Sequence, residues 1–320
     1  MPTKACLYNL LAVSKDPERL KKVEPLFTDL LERFPGRLVT LLEKSGEKQI
    51  NIEELPSVAL TGSKVVTESR IAITVSGYDQ KMISLVPLPY LIPDLPIFLF
   101  WLDDHFDTPL FQELHAMSDR LLLNGEETRQ FQEWFQKLSS DSLPVVDLAW
   151  CRGDGWRSVM REILSSEHRR HSLDKCRLLQ ISYAKGPITN ALFFQAWLAT
   201  ALGFSFKEKK LDGDVLELIY DWQGNKIDVF LSPKEDPTSQ PGSILNLQFT
   251  SSEGEQCLIF RGDDALEVKV HITTADTCDI PFTVYLPNPK RGGSFLPAWI
   301  WGNTSKEMRE TLPLLKKIIE

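Results

Sequence analysis

Apolar residues fall into two spacings along this chain, short unbroken runs and a three-to-four-residue recurrence, and the two alternate most regularly between residues 94 and 157. The run Ile97-Phe98-Leu99-Phe100-Trp101 is led in by Asp94-Leu95-Pro96 and closed by Asp103-Asp104, with no polar residue inside it. It predicts a strand covered on both faces, with Pro96 tolerated at its start. Leu110, Phe111 and Leu114 have helical spacing within 108–117. A second short strand is predicted over 119–124, and a second helix over 126–138 on Phe131, Trp134, Phe135 and Leu138. A third strand follows at 145–148, and the order βαβαβ is the signature of a parallel sheet.

Upstream, 6–13 predicts a strand, and Ser14-x-x-Pro17 opens a helix carrying Leu20, Val23, Phe27, Leu30, Leu31 and Phe34. Pro25 inside it predicts a kink or a restart, because proline removes a backbone donor. Pro35-Gly36 stops the helix and 37–42 forms the next strand. Residues 44–68 read as a polar connection holding at most one short strand, 70–76 as a strand, and 78–86 as a helix stopped by Pro87 and Pro89. The sum is about six strands in a doubly wound sheet ending near residue 150.

Downstream the pattern changes. Gly153-Asp154-Gly155 reads as a joint, and Trp156, Val159, Met160 and Ile163 as an amphipathic helix. After a charged stretch at 167–177 come a strand at 178–183 and an apolar helix at 189–202. Short strands follow at 215–220, 227–231, 244–249, 257–260, 266–272 and 282–285. Gln223-Gly224-Asn225 and Gly262-Asp263-Asp264 are hairpin turn signals that predict antiparallel neighbours. An amphipathic helix at 305–319, interrupted early by Pro313, closes the chain. The expected fold class is α/β: an N-terminal doubly wound, mostly parallel, Rossmann-like sheet in residues 1–152, then an α+β domain with an antiparallel sheet and a C-terminal helix in 153–320.

The 320 residues exceed what one core comfortably serves, which agrees with two domains. A net charge of -8 lacks the basic footprint that nucleic acid or an anionic membrane requires. The basic cluster at 207–210 is broken by Glu208 and followed by Asp212. Five cysteines, odd in number and without a C-x-x-C pair, fit reduced thiols and a cytoplasmic location. Residues 5–13 are too short for a signal h-region, and the apolar region 85–102 carries four prolines and Asp94, which excludes a membrane helix there.

A doubly wound sheet directs attention to the loop after its first strand. Here that loop reads Ser14-Lys15-Asp16-Pro17, without the glycine that lets a backbone approach a pyrophosphate. No G-x-G-x-x-G, P-loop or G-x-S-x-G motif occurs, and Gly62-Ser63-Lys64 reads as a surface turn. His168 and His171 share a charged helical face that offers no third ligand. The expectation is therefore no cofactor, no metal and no catalytic residue. His105, beside Asp103 and Asp104, stands at the carboxyl end of a central strand, where open α/β sheets bind ligands; a plain polar loop is the alternative.

The ordered set Asp94-Leu95-Pro96, Trp101, Asp119-Arg120, Asp147-Leu148-x-Trp150-x-Arg152 and Trp156-Arg157 resembles the glucose-6-phosphate dehydrogenase assembly protein (OpcA) family. Ala5-Cys6-Leu7-Tyr8-Asn9-Leu10, Pro35-Gly36-Arg37-Leu38 and Trp197 extend the resemblance over roughly residues 3–200. It implies a non-catalytic assembly factor and allosteric activator that binds glucose-6-phosphate dehydrogenase and promotes its active oligomer in the oxidative pentose phosphate pathway. A phosphosugar-binding enzyme using His105 and Arg152, or a general scaffold, are the alternatives. Redox control through cysteines, which the resemblance also brings in, falls on no identifiable position.

Trp101, Trp150 and Trp156 suit a core or a domain interface, Asp119-Arg120 suits a structural pair, and Arg152 and Arg157 carry forked donors suited to a carboxylate or phosphate. The aromatic stretch at 291–302 has the composition of an interface hot spot or of a core strand. The candidate partner contacts are Trp101, His105, Arg120, Arg152, Trp156, Arg157, Phe295, Trp299 and Trp301.

Overall fold

A computed structural model describes residues 6–55, 69–165, 175–262, 267–273, 281–286 and 304–320. The chain divides into two compact units, the first running through Leu148 and taking in Thr304, the second starting at Ala149 and including Ser305–Glu320.

In the first unit the elements are β1 (Asn9–Ser14), α1 (Pro17–Arg33), β2 (Arg37–Lys44), β3 (Gln49–Leu55), β4 (Ser69–Ser76), α2 (Gln80–Leu85), β5 (Ile97–Trp101), α3 (Pro109–Ala116), β6 (Arg120–Leu123), α4 (Phe131–Ser140) and β7 (Val145–Asp147). They build a sheet of order β3-β4-β2-β1-β5-β6-β7. Every neighbouring pair is parallel except β3 with β4. Counting only the parallel strands, the order is third-second-first-fourth-fifth-sixth, so the topological switch lies between β1 and β5. The continuous apolar runs of β1 and β5 follow from this central placement, since both faces of each strand are buried. Phe27 of α1 meets Phe100 edge-on at 6.1 Å, and Trp101 meets Phe111 of α3 at 5.0 Å.

Pro25 does not restart α1, which runs continuously from Pro17 to Arg33. Pro25 lies on the exposed face, where water can serve the carbonyl it leaves unpaired. The one strand allowed for in the polar connection is the edge strand β3, whose seven residues are all exposed.

The second unit holds α5 (Leu148–Arg152, entered from the first unit), α6 (Asp154–Ser165), β8 (Cys176–Ala184), α7 (Thr189–Leu202), β9 (Ser205–Asp212), β10 (Val215–Trp222), β11 (Asn225–Lys234), β12 (Ile244–Ser251), β13 (Gln256–Arg261), β14 (Glu267–Thr273), β15 (Phe282–Tyr285) and α8 (Lys306–Ile319). Its sheet runs β15-β14-β13-β12-β8-β11-β10-β9. The pairings are antiparallel except at the centre, where β8 and β11 run parallel. The chain leaves β8 through α7 and the β9–β10 hairpin before returning beside it, a crossover long enough to restore direction.

Residues 189–199 of α7 are buried on every side, which is why its sequence shows little amphipathic contrast. Gly203 ends it in the left-handed region at φ 74°. Pro313 sits on an exposed position and leaves α8 unbroken. In the Gly153-Asp154-Gly155 stretch, Gly153 separates α5 from α6, and Asp154 and Gly155 belong to α6. At Gly153 a β-carbon would stand 3.0 Å from Arg157 Nη1 and 3.2 Å from Asn190 Oδ1, so close packing accounts for that glycine.

Candidate functional site

The carboxyl edge of the first sheet at its switch point is where a doubly wound fold binds a ligand. Here the chain's own charges occupy it. At the start of α1, Pro17 has no N–H, and the N–H of Glu18 donates to Asp16 Oδ1 at 2.9 Å. The positive helix end that receives phosphate in dinucleotide-binding proteins is thus capped by a carboxylate.

Lys15, Arg19 and Lys22, spaced at four and three residues, then face acidic side chains on β2 and on the loops after β5 and β6. Lys15 Nζ lies 3.7 Å from Asp103 and 3.8 Å from Glu43, Arg19 Nη2 2.7 Å from Asp104, and Lys22 Nζ 2.8 Å from Glu127. Arg19 Nη1 also donates to the carbonyl of Leu102 at 2.9 Å. Burial pushes the Asp104 carboxyl up, but hydrogen bonds from Arg19, the Arg129 N–H and Thr128, with the charge of Arg19, outweigh it and hold the group below the usual carboxylate range. What remains is a narrow cleft lined by Arg19, Trp101, Asp103, Asp104, Glu127 and Trp134 among others.

In the second unit, arginines lie on tryptophans. Arg157 is 2% exposed, its guanidinium 3.9 Å from the centre of the Trp150 ring. Nη1 donates to the Trp150 carbonyl at 2.8 Å and Nη2 to Asp154 Oδ1 at 3.4 Å. Burial lowers its pKa, only partly countered by the charge of Asp154. Arg161 lies over Trp197 at 5.5 Å and bonds Glu307 at 2.5 Å, and Arg261 lies over Trp156 at 5.8 Å. Arg152 keeps part of its surface in solvent, yet burial of its charged end brings its pKa down to about 10. With its carboxamide oxygen turned inward, Gln240 accepts from both Nη1 and Nη2 of Arg152 at 2.8 Å.

The candidate contacts separate accordingly. In the first unit Trp101 is 2% exposed, part of the core, and its Nε1 has no hydrogen-bond partner among the described residues. His105 is exposed on the loop after β5, 3.8 Å from Glu133. Arg120 is buried at the start of β6, over Phe98 at 4.8 Å, with its pKa lowered by burial against the charge of Asp119. It therefore lies at the amino edge of the strands whose carboxyl ends carry Trp101 and His105. Asp119 accepts from the Ile97 N–H at 2.8 Å, tying β6 to β5 rather than to Arg120 alone.

In the second unit Trp156 is 2% exposed and Arg157 is spent on Trp150, leaving Arg152 the most accessible of the three. Phe295, Trp299 and Trp301 lie outside the described residues, as do His168 and His171. The Lys15–Arg19–Lys22 stripe escaped the sequence reading, although its helical spacing was visible. Its acidic counterparts, some 85 to 105 positions away, give no local signal.

Two family models match the chain: the glucose-6-phosphate dehydrogenase subunit N-terminal domain over residues 28–140 and the corresponding C-terminal domain over 143–292. A protein of Synechococcus elongatus named OxPP cycle protein OpcA is 23% identical over 232 residues, 68% of this chain and 52% of that protein. Its namesake in Synechocystis sp. is 25% identical over 118 residues, 35% of this chain and 24% of that protein. The chain thus spans about half the length of the first of these relatives. Among solved structures, YvaA of Bacillus subtilis, described as an oxidoreductase, is 10% identical with TM-score 0.52, covering 98% of this chain and 96% of that one. An oxidoreductase structure from Parabacteroides merdae is 8% identical with TM-score 0.51, covering 97% and 96%. At such identities the likeness is one of fold.

Proposed function

The chain belongs to the OpcA family of glucose-6-phosphate dehydrogenase subunits, and on that premise we propose that it is a non-catalytic partner that docks on glucose-6-phosphate dehydrogenase in the cytoplasm and favours its active, assembled form. The observation that carries the reading is the clasped switch point. The fold is that of oxidoreductases, yet its dinucleotide crevice is filled by Lys15–Asp103 and Arg19–Asp104, with Asp16 on the helix end.

A protein that binds only the active form of an enzyme shifts its population by its differential affinity, about tenfold for about 1.4 kcal/mol, and needs no chemistry of its own. Among the candidate contacts, His105 in the first unit suits this role through its exposed ring, and Arg152 in the second through the part of its side chain left in solvent, its charged end being buried. Mixing the chain with its cognate dehydrogenase on a size-exclusion column should give co-elution. Thermal shifts of the chain alone with NADP or glucose 6-phosphate should be absent. Micromolar binding of either ligand together with separate elution would reverse the reading in favour of a phosphosugar enzyme.

A further inference from the structure

Three side chains at the carboxyl edge of the first sheet stand apart from the clasp. His105 and Asp107 lie on the loop between β5 and α3, and Glu133 lies in the first turn of α4. One donor atom from each comes within 4.8 Å of the others, and His105 Nδ1 is 3.8 Å from Glu133 Oε1. The contrast with the neighbouring carboxylates decides what this group can do. Asp103 pairs with Lys15, just before α1, and Asp104 and Glu127 pair with Arg19 and Lys22 of α1. Asp107 and Glu133 hold neither among the described residues, and their nearest ionisable companion is an imidazole. Two carboxylates converging on one ring, without a resident cation, form a set that is completed by a cation from outside.

We propose that His105, Asp107 and Glu133 bind a divalent transition-metal ion of the zinc class. One imidazole nitrogen and two carboxylate oxygens suit Zn²⁺ and its neighbours, whereas Mg²⁺ and Ca²⁺ prefer oxygen alone. Metal bonds of about 2.0–2.2 Å place donors roughly 3–3.5 Å apart around the ion. His105 and Glu133 are already near that separation, and exposed side chains can close the remainder by rotamer changes. Three protein ligands leave at least one position open to water or to a side chain of another molecule. The inference is independent of the proposed partnership with the dehydrogenase. It also revises the sequence expectation of no metal. Metal binding was weighed there only at His168 and His171, and His105 was set beside Asp103 and Asp104, whereas the fold gives those two to Lys15 and Arg19 and brings Glu133 to the histidine.

Zn²⁺ alone, titrated into the full chain by calorimetry, should show binding of roughly one ion, not displaced by Mg²⁺. His105→Ala and Glu133→Gln should each weaken it at least about tenfold while leaving the metal-free melting temperature unchanged. Cobalt loaded in place of zinc should show visible absorption bands that both variants lose. Absence of binding, equal affinity in the variants, or displacement by Mg²⁺ at comparable concentration would each overturn the assignment.

Discussion

Arg157 illustrates how a residue that resembles a contact becomes a structural pin. Its guanidinium lies on Trp150, its N–H groups go to the Trp150 carbonyl and to Asp154, and Gly153 has no β-carbon to press on it. Arg157→Ala should therefore lower stability by about 2–3 kcal/mol, read as a fall in melting temperature, because it removes packing and buried hydrogen bonds together. Arg152→Ala, at a partly exposed position, should leave the chain folded, and its effect should appear in dehydrogenase binding instead. An Arg152 variant that melts early yet binds normally would reassign that residue to structure.

Asp236 offers a check by pH. Hydrogen bonds from the Thr238 and Ser239 hydroxyls and backbone N–H groups hold its carboxyl down to about 2. A carboxylate depressed on folding stabilises fully above its unfolded value and loses that contribution as pH falls through the folded one, so this loop should stay locked until about pH 2. Carboxyl titration by NMR should show the low value, and Thr238→Ala with Ser239→Ala should restore it toward 3.8. Residue types alone identified Trp101, Trp156 and Arg157 as noteworthy; the direction each side chain takes is set by packing and could not be read there.

Among the elements, those with continuous apolar runs or clean helical spacing were legible in the sequence, as β5, β6, α3 and α7 show. The elements that escaped are governed by edges and partners. β9, Ser205–Asp212, carries Lys207, Lys209 and Lys210 because an exposed edge strand is protected by charge from pairing with other chains. The same charge hid it from a pattern search that looks for apolar alternation. The parallel pair β8–β11 depends on what lies between the strands, which hairpin signals cannot convey. The clasp depends on α1 starting where Asp16 caps it. Asp16→Ala should cost about 1 kcal/mol in stability. Arg19→Met should raise the pKa of the Asp104 carboxyl and loosen the loop after β5, measurable as faster amide exchange there. An unchanged Asp104 titration in Arg19→Met would show that Arg129 and Thr128 suffice to hold the carboxylate.

For the whole molecule, an oxidoreductase-like architecture is combined with a switch point closed by its own ion pairs. Family membership was legible from ordered motifs in the sequence, and the clasped crevice is the physical feature on which the proposed non-catalytic role rests. The proposed role places its effect in another protein's equilibrium, so its activity can be read only with that protein present. The most direct measurement is the rate of NADP reduction by the cognate dehydrogenase with glucose 6-phosphate, at sub-saturating substrate, as the chain is titrated in. The account predicts a saturable rise in rate, accompanied by a shift of the dehydrogenase toward a larger assembly. A rate and an oligomer size that stay constant across the titration would contradict it.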